Sequence, residues 1–480
     1  MSGAPAPLVV PIELLLATTA KVLASAVFVS GREPAEAFAH SAPSALHANQ
    51  LPGVLRRHAQ WTLDRPGRRV DIRLNIDAGV ASELVAAHRA AYPGFEADWT
   101  SEERRLAGLG SLTGSAQYVP DQGCLILPPD GDRSVAFEPV ALRRGPLPMS
   151  GWCGAQRPVP AVQSALDAAF SDKDASHAAL LVVQHGDIVG EGYAPGLTGD
   201  QPLESWSMGK SVMSTLIGQL VGAGALALDA PAPVPAWQAP GDPRAQITLR
   251  HLLNMSSGLR CTGQDDPRSS WPHGLPEHFL PYTQALDARQ FATDRPAEHP
   301  PATVGRYRNC DTLTLSTVFH DTVRSLGGNP LTWPQTELFD RLGMHGLTQE
   351  PDRAGRFIAS GFNYGTARDW ARLGLLYLQG GLWQGKRVLP EEWTRFVRTP
   401  APAWKQGQYG GQFWINSIGE FPLPSDTFYM AGGGGQYVFM APSINAVIVR
   451  MGHSCGWASA KTKVNEVLGA LLPSLAKETR

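Results

Sequence analysis

Two periodicities of apolar residues divide this 480-residue chain into predicted helices and strands. Strict alternation over Val70–Ile76 places the apolar side chains on one face, which predicts a strand with one buried face. Helical spacing follows over residues 80–92 and 101–109. Residues 1 to about 155 are therefore predicted to form an α/β region of their own, which ends in the turn-rich stretch 142–160.

The next region begins with a short predicted helix over residues 162–170 and a hairpin of two strands, 178–184 and 188–193. A second helix follows, in which apolar side chains recur at every fourth position from Val212 to Leu220. This spacing predicts a helix that is buried over a broad face.

Helical patterns with long loops fill residues 230–400, and strand patterns return near the C-terminus. The predicted C-terminal elements are strands over 412–416, 427–431, 436–441 and 445–451 and a helix over 461–472. Because strands lie at both ends of this region, we expect one antiparallel sheet completed by both ends, with the helical part inserted as a subdomain. The predicted domains are thus 1–155, to which no role is assigned, and 156–480.

Composition is that of a soluble globular protein, because 43% of the residues are apolar and 18% are charged. The net charge is −2 and there is no dense run of Lys or Arg, so nucleic acid is not an expected partner. No two of the five cysteines have Cys-x-x-Cys spacing, which argues against a structural zinc site. Cys261 and Cys310 flank segments assigned to the active site below, and they form either a disulfide or two separate buried thiols.

The N-terminal stretch 8–29 is largely apolar, but Glu13 and Lys21 interrupt it. A secretory signal begins with positive charge, whereas no basic residue precedes Lys21 here. A membrane-spanning helix needs about 20 uninterrupted apolar residues, which this stretch does not offer. We expect an amphipathic helix with weak membrane association, and a location in the cell envelope or periplasm rather than the cytoplasm.

Ser207 and Lys210 form a Ser-x-x-Lys pair at the start of the predicted buried helix. Residues three apart on a helix lie on one face, so the hydroxyl and the amine are expected to be neighbours. Such a pair can supply a nucleophile and its base without a histidine. The pair therefore predicts a serine hydrolase that does not use the Ser-His-Asp arrangement.

Two other serine motifs are rejected. Ser474 and Lys477 repeat the spacing, but they follow Pro473 in what we expect to be a fraying C-terminal tail. Gly452–Gly456 matches the Gly-x-Ser-x-Gly nucleophile elbow around Ser454. An elbow serine needs an acidic residue and then a histidine later in the chain, and neither Asp nor His follows Ser454. This pentad is better interpreted as a glycine-rich turn.

Two further segments could complete a site around Ser207. Tyr307-Arg-Asn309 is the only Tyr-x-Asn sequence in the chain, and its tyrosine could carry a proton to a leaving group. The run Gly432–Gly435 interrupts a strand pattern. Glycines at a strand edge would allow a substrate backbone to lie close against it.

In order and spacing, these three elements resemble the serine β-lactamase and penicillin-binding family, in particular its class C-like branch with carboxylesterases and 6-aminohexanoate-dimer hydrolases. The resemblance covers about residues 160–475 and extends to 226–229, 247–259 and 366–374. It implies an α+β fold in which helices flank an antiparallel five-stranded sheet and a helical subdomain is inserted. Residues 1–155 lie outside the resemblance.

The resemblance implies a mechanism in which Ser207 attacks an ester or amide carbonyl, Lys210 accepts its proton and Tyr307 returns a proton to the leaving group. A free lysine has a pKa near 10.4, so a working value of about 7 needs about 4–5 kcal/mol from burial and the helix N-terminus. Asn309 would orient the substrate amide. The backbone N–H groups of Ser207 and Gly433 would hold the oxyanion. No cofactor or metal is required.

One departure concerns the family's Lys-Thr-Gly motif, whose best match here is Met430–Gly432. The lysine and the hydroxyl that hold a β-lactam or a peptide carboxylate are missing, which favours an esterase or amidase, as in the dimer-hydrolase branch. Arg450 could supply a charge but is better interpreted as a surface strand residue. Gln436 either contacts substrate or is an inert strand residue, and Trp206 is expected to pack in a wall of the site.

Two alternatives stay open beside the hydrolysis of a small-molecule ester or amide. One is a true β-lactamase or D,D-carboxypeptidase, and the other is a non-catalytic module that binds a cell-wall peptide or another protein. The presence of Ser207, Lys210 and Tyr307 together favours an enzyme, because a binding module has no need for all three.

Overall fold

The computed structural model describes residues 12–42, 51–91, 98–142, 152–263, 276–454 and 457–476. The chain forms two compact units, and each unit combines segments that are distant in sequence. The first unit comprises Met1–Pro139, Cys261–Asp287 and Glu350–Gly355, and the second comprises Val140–Arg260, Ala288–Gln349 and Arg356–Arg480. No sequence pattern indicated that the two short internal segments belong with the N-terminal residues.

The N-terminal residues of the first unit form a four-stranded antiparallel sheet with helices. The elements are α1 (Ile12–Phe28), α2 (Pro34–His40), α3 (Leu51–His58), β1 (Gln60–Asp64), β2 (Arg69–Ile76), α4 (Ala78–Ala91), α5 (Trp99–Ala107), β3 (Gly110–Val119) and β4 (Gly123–Leu127). The strands lie in sequence order in the sheet. The alternation that predicted β2 is confirmed, because Val70, Ile72 and Leu74 are buried while the residues between them are not.

Helix α1 lies directly against this sheet. A Cβ atom at Gly114 of β3 would come within 2.2 to 2.5 Å of the backbone of Leu16 and Ala17, so only glycine fits at this crossing. The helix predicted near the N-terminus is present over Ile12–Phe28, but its amphipathic character was wrong, because the helix is buried on nearly all sides within the first unit. Within the described part of the chain, no helix is both long and apolar enough to cross a membrane.

A buried ion pair lies in the same unit. Lys21 Nζ donates to the carboxylate of Glu350, and neither side chain has exposed surface. Ser25 Oγ donates to Glu350 Oε1 over 2.8 Å, and the backbone N–H of Cys124 donates to the same oxygen over 2.7 Å. The lysine that interrupts the apolar pattern of α1 is thus paired with a carboxylate that is distant in sequence.

The remaining helices and strands lie after residue 159 of the chain. They are α6 (Pro160–Ser171), β5 (His177–Gln184), β6 (Asp187–Tyr193), β7 (Leu203–Glu204), α7 (Gly209–Gly222), α8 (Leu249–Leu253), α9 (Leu280–Thr283), α10 (Ala288–Thr293), α11 (Asn309–Ser325), α12 (Asp340–Leu342), β8 (Thr348–Gln349), β9 (Asn363–Gly365), α13 (Ala367–Leu378), β10 (Leu382–Trp383), β11 (Lys386–Arg387), α14 (Glu391–Val397), β12 (Trp414–Ile415), β13 (Phe428–Gly432), β14 (Gln436–Ala441), β15 (Ala446–Gly452) and α15 (Trp457–Leu475). Of these, α9 belongs to the first unit and the others to the second.

The second unit is built on a six-stranded antiparallel sheet with the order β12-β13-β14-β15-β5-β6. The early hairpin β5–β6 joins β15 near the end of the chain, which confirms a sheet completed by both ends of this region. The sheet has one strand more than the five implied by the resemblance, because Trp414–Ile415 pairs with β13 as a short edge strand. The predicted α+β fold class, with a mainly helical insertion, is confirmed.

Helices cover both faces of this sheet. On one face, α6 and α15 share a core with Phe439 and Ile448. On the other face, α13 packs so closely that a Cβ at Gly374 would lie 2.7 Å from a methyl group of Val447. Successive residues of a strand point to opposite faces, so Val447 and Ile448 belong to the two different cores.

The structure corrects the expectation for the C-terminal Ser-x-x-Lys copy and decides the state of two cysteines. The second Ser-x-x-Lys copy was expected in a frayed tail, but α15 continues past Pro473, so Ser474 lies in its last turn. Lys477 lies outside the described residues. Cys261 and Cys310 are both buried thiols, which decides the open alternative against a disulfide.

Candidate active site

Ser207 lies in a single 3₁₀ turn, Trp206–Met208, that leads directly into α7. It is partly exposed, whereas the residues from Pro202 to Trp206 are buried. Trp206 has a φ of +47°, a left-handed backbone conformation that costs energy for a large side chain. Its ring packs against Phe362 at 5.9 Å between centroids, as expected of a wall residue. The turn thus presents one hydroxyl from an otherwise buried segment.

Lys210 lies one turn into the same helical segment and is only 1% exposed. Its Nζ atom is 2.9 Å from Ser207 Oγ, which is the contact expected from the Ser-x-x-Lys spacing. The same Nζ is 2.7 Å from Asn309 Oδ1 and 2.7 Å from the backbone carbonyl oxygen of Ser360. The amine is therefore held by two oxygen acceptors and lies beside one hydroxyl.

This arrangement suits a neutral amine. An uncharged –NH₂ group has two N–H bonds to donate and one lone pair to accept a proton. The oxygens of Asn309 and Ser360 can take the two N–H bonds, and the lone pair can then face the hydroxyl of Ser207. Lys210 can therefore draw the proton from Ser207 without losing its other two hydrogen bonds.

Tyr307 lies just before α11 and reaches the same pair. Lys210 Nζ is 4.8 Å from the centre of the Tyr307 ring. Burial raises the pKa of the Tyr307 hydroxyl well above its usual value, and a hydrogen bond with Ser207 acts in the opposite direction. The phenol is thus protonated near neutral pH and can donate. Trp414 stacks on its ring at 5.2 Å between centroids, which fixes its orientation.

Asn309 is the first residue of α11 and is completely buried. It was predicted to orient the substrate amide, but the structure shows its side-chain oxygen accepting a hydrogen bond from Lys210. Asn309 therefore contacts the proposed base, and its contact with a substrate amide stays a prediction.

Strand β13 ends at Gly432, directly against the segment that precedes the nucleophile. A Cβ atom at Gly432 would lie 2.2 Å from the carbonyl oxygen of Ser205, so any side chain here would displace that segment. Gly433 follows as the first residue of the turn between β13 and β14 and is partly exposed. The missing side chain of Gly432 thus makes room for the protein's own Ser205.

Gln436, for which both a substrate contact and an inert strand role were left open, is bound to the protein's own backbone. It is 1% exposed. Its Nε2 donates to the carbonyl oxygens of Gly433 and Gly452, and its Oε1 accepts from the Gly452 N–H over 2.9 Å. Both ends of the amide thus bind backbone groups at the glycine turn.

The interpretation of Arg450 as a surface strand residue is wrong. Arg450 is 2% exposed, and its guanidinium is hydrogen-bonded to the carbonyl oxygens of Gly434 and Gly435. Ser454, the serine of the rejected elbow motif, accepts from Arg450 Nη2 over 2.9 Å. That serine is therefore a buried partner of an arginine, not an exposed nucleophile.

One group of the site and one buried carboxyl group on α11 could not be found from sequence. Ser360 contributes only a backbone oxygen, and such a group leaves no residue-type signal. Asp311, in the first turn of α11, has the pattern of an ordinary helix-start acid. It is instead buried, accepts from Ser257 Oγ over 2.7 Å, and has a pKa raised to about 7, mainly by burial. Among the described residues, no group of three or more His, Cys, Asp or Glu is arranged to hold a metal ion.

Comparison with known proteins agrees with this fold. A candidate 6-aminohexanoate-dimer hydrolase from Bacillus anthracis has a TM-score of 0.51 at 22% identity, covering 64% of this chain and 79% of that one. A candidate β-lactamase from Bacteroides dorei has a TM-score of 0.52 at 18% identity, covering 65% and 98%. A family VIII carboxylesterase has a TM-score of 0.51 at 14% identity, covering 65% and 98%. At these identities the likeness is one of fold.

The family match, with which the fold agrees, defines the class of this protein as a serine hydrolase of the β-lactamase type. The family model described as Beta-lactamase matches residues 162–468, which is more than half of the chain. The protein therefore belongs to the β-lactamase family. A search of proteins with curated functions finds no match.

Proposed function

We propose that this protein hydrolyses an ester or a linear amide through an acyl-enzyme on Ser207. The observation that carries the proposal is the position of Lys210 Nζ, 2.9 Å from Ser207 Oγ and anchored on Asn309. Ser207 Oγ forms a bond to the substrate carbonyl carbon while its proton passes to Lys210 Nζ. The carbonyl π electrons move to the oxygen, which becomes the oxyanion of a tetrahedral intermediate.

Tyr307 completes the proton path. Its hydroxyl is protonated, since burial raises its pKa, so it can give a proton to the leaving oxygen or nitrogen and recover one from Lys210. The bond to the leaving group then breaks and the acyl group stays on Ser207. Water attacks this ester, its proton passes to the Lys210–Tyr307 pair, and Ser207 Oγ leaves with a proton to restore the enzyme.

Two backbone N–H groups are proposed to hold the oxyanion, one from Ser207 and one from Gly433. The close approach of Gly432 to Ser205 supports this pairing, because it brings the glycine turn beside the nucleophile segment. Loss of one such donor typically lowers kcat by about 10²- to 10³-fold.

The same strand supports an ester or amide substrate over a β-lactam. Met430 and Ala431 stand where the penicillin-recognising proteins carry a lysine and a threonine, and both residues are buried apolar groups. Neither can bind a carboxylate. The structural neighbours named as a dimer hydrolase and as a carboxylesterase are consistent with this choice.

A covalent probe tests the proposal. Purified protein would be treated with a fluorophosphonate and the modified peptide identified by mass spectrometry, in parallel with turnover of p-nitrophenyl esters and p-nitroanilides. We expect labelling at Ser207, loss of labelling and turnover in Ser207→Ala, and continued labelling in the matched variant Ser454→Ala. Labelling at Ser454, or a folded protein that is not labelled at Ser207, would overturn the proposal.

Two further assays separate the alternatives. Rapid hydrolysis of nitrocefin or of a D-Ala-D-Ala peptide, with slow ester turnover, would indicate a β-lactamase or D,D-carboxypeptidase. Binding of a cell-wall peptide without any turnover would indicate a non-catalytic module. We expect neither result.

A further inference from the structure

We propose that Arg450 is a positioning residue that holds the turn Gly433–Gly435 in the shape needed to bind the oxyanion. The inference rests on the proposed function, in which Gly433 supplies one of the two N–H donors. Arg450 lies on β15, the strand next to β14 in the sheet, where it pairs with Tyr437. It is not expected to touch the substrate, and acts only through the turn.

The guanidinium of Arg450 binds the turn directly. Its Nη1 donates to the carbonyl oxygen of Gly434 over 2.7 Å and to that of Gly435 over 2.7 Å. Gln436 Nε2 donates to the carbonyl oxygen of the preceding Gly433 over 3.1 Å. Three successive carbonyl groups of the turn are thus held by side chains from β14 and β15.

The other side of the guanidinium is anchored on the segment that leads into β5. Its Nη2 donates to the carbonyl oxygens of Ala175 and Ser176 over 2.9 and 3.3 Å and to Ser454 Oγ over 2.9 Å. Its Nε is 3.1 Å from His177 Nδ1. Burial and the charge of Arg450 lower the pKa of His177 to about 3, so this imidazole is neutral and Nδ1 can accept. The arginine therefore links the glycine turn to the start of β5 and to the turn that precedes it.

The glycines around Arg450 provide its space. A Cβ at Gly435 would lie 2.3 Å from Arg450 Nη1, and a Cβ at Gly452 would lie 2.1 Å from its Cζ. Gly434 and Gly435 also have a φ of +79°, which side chains rarely adopt. The glycines thus leave space for the guanidinium of Arg450, and those of the turn adopt the backbone conformation that the turn requires.

A turn of three glycines has more conformational freedom than any other tripeptide, and that freedom would weaken an oxyanion site. Donors stabilise a transition state best when they are fixed before the reaction. A guanidinium can hold several carbonyl groups at once because its five N–H bonds lie in a rigid plane. A lysine carries its three N–H bonds on one nitrogen atom, so it cannot reach carbonyl groups on both sides as this arginine does.

The test compares Arg450→Lys and Arg450→Met with wild type, using an ester and its thionoester. Sulfur accepts hydrogen bonds less well than oxygen, so the ratio of kcat/KM for ester over thionoester reports the strength of the oxyanion donors. We expect both variants to lower kcat for the ester by about 10- to 100-fold with KM changed less than about threefold, and to reduce the ratio. Millimolar methylguanidinium is expected to restore part of kcat in Arg450→Ala.

Arg368→Met is the matched control, since Arg368 is also buried and pairs with Glu191 in the same unit but does not touch the turn. We expect it to leave the ester-to-thionoester ratio unchanged. If the Arg450 variants do not fold, Gly452→Ala provides a second route, because its Cβ would lie 2.1 Å from Arg450 Cζ while the charge and the turn glycines remain. It is expected to reduce the same ratio.

The result that overturns the inference is a folded Arg450 or Gly452 variant with wild-type kcat and an unchanged ratio. Failure of the proposed function is distinguishable, because wild-type protein would then show neither ester turnover nor labelling of Ser207. An active wild-type protein whose Arg450 variants keep the same kcat and the same ester-to-thionoester ratio would reject only the positioning role of Arg450.

Discussion

Lys21 in the first unit and Lys210 in the second are both buried, at 0% and 1% exposure, yet their partners differ in kind. Lys21 donates to the carboxylate of Glu350, an anion that requires the ammonium to stay charged. Lys210 donates to an amide oxygen and a peptide oxygen and lies against a hydroxyl. Burial by itself therefore does not indicate whether a lysine has a structural or a catalytic role.

The physical reason for the difference is the balance between desolvation and pairing. Burial disfavours the charged form of a lysine, whereas a carboxylate at contact distance stabilises that charged form. Neutral oxygen acceptors stabilise the charged form less than a carboxylate does, and the amine can therefore exchange a proton. The first lysine is suited to structure and the second to catalysis.

The largest expected effect is on activity, from Lys210→Met. Without the amine, Ser207 has no base, and kcat/KM for a p-nitrophenyl ester is expected to fall by about 10⁴- to 10⁶-fold. Circular dichroism and a thermal melt would verify that the variant is folded. A folded variant that keeps more than about a tenth of wild-type activity would contradict the role of Lys210.

Tyr307→Phe is expected to have the next largest effect. Removing the hydroxyl interrupts proton transfer to the leaving group and lowers kcat by about 10²- to 10⁴-fold. The ring still stacks on Trp414, so the melting temperature should change little. The matched control is Tyr377→Phe, which removes another buried hydroxyl, 2.8 Å from Thr215 Oγ1, and should leave kcat near wild type. Equal losses in both variants would argue against proton transfer by Tyr307.

Lys21→Met is expected to change stability rather than chemistry. Breaking a buried ion pair leaves the Glu350 carboxylate uncompensated, which typically costs about 3–5 kcal/mol of unfolding free energy. Urea unfolding followed by circular dichroism measures this loss. The double variant Lys21→Met/Glu350→Gln removes the charge but keeps an oxygen for the Cys124 N–H, so it should recover part of the loss. A single variant within about 1 kcal/mol of wild type would contradict the pairing.

The smallest expected effect concerns the corresponding contrast between carboxyl groups. Glu350 is paired with a lysine, whereas Asp311 accepts from the hydroxyl of Ser257, and burial raises its pKa from 3.8 to about 7. A raised folded-state pKa means that the folded protein binds the proton more tightly. The resulting stabilisation is complete below about pH 4 and is lost as the pH rises through about 7.

Asp311→Asn should remove this pH dependence. The unfolding free energy of the variant minus that of wild type is expected to be higher at pH 8 than at pH 4, by at most about 4 kcal/mol. Chemical denaturation at a series of pH values measures the difference between the two proteins. A difference that does not change between pH 4 and pH 8 would show that Asp311 does not titrate in this range.

Much of the second unit could be predicted from local patterns. The hairpin before residue 195, the helix after Ser207 and the strands after residue 427 all follow from periodicities that a strand or helix imposes on neighbouring residues. The Ser207–Lys210 contact follows for the same reason, since the spacing of three on a helical segment fixes it locally. By contrast, β1, β3 and β4 were not predicted, although β4 is entirely buried.

Roles that depend on distant segments were predicted less well. Arg450 and Gln436 carry sequence signals of ordinary strand residues, and only the fold shows that both bind the glycine turn. Asn309 was predicted from a motif, but its contact with Lys210 joins two helices that are far apart in the chain.

The sequence by itself determined the α+β class of the second unit, the positions of its six main-sheet strands and of several helices, and the pairing of a serine with a lysine. These follow from spacing along one element. Only the tertiary structure decided that Lys21 is an ion-pair partner, that Lys210 lies among neutral oxygens, and that the glycines enclose a buried arginine. Burial and partner identity fix what a side chain does, and both arise from residues that the chain brings together only when it folds.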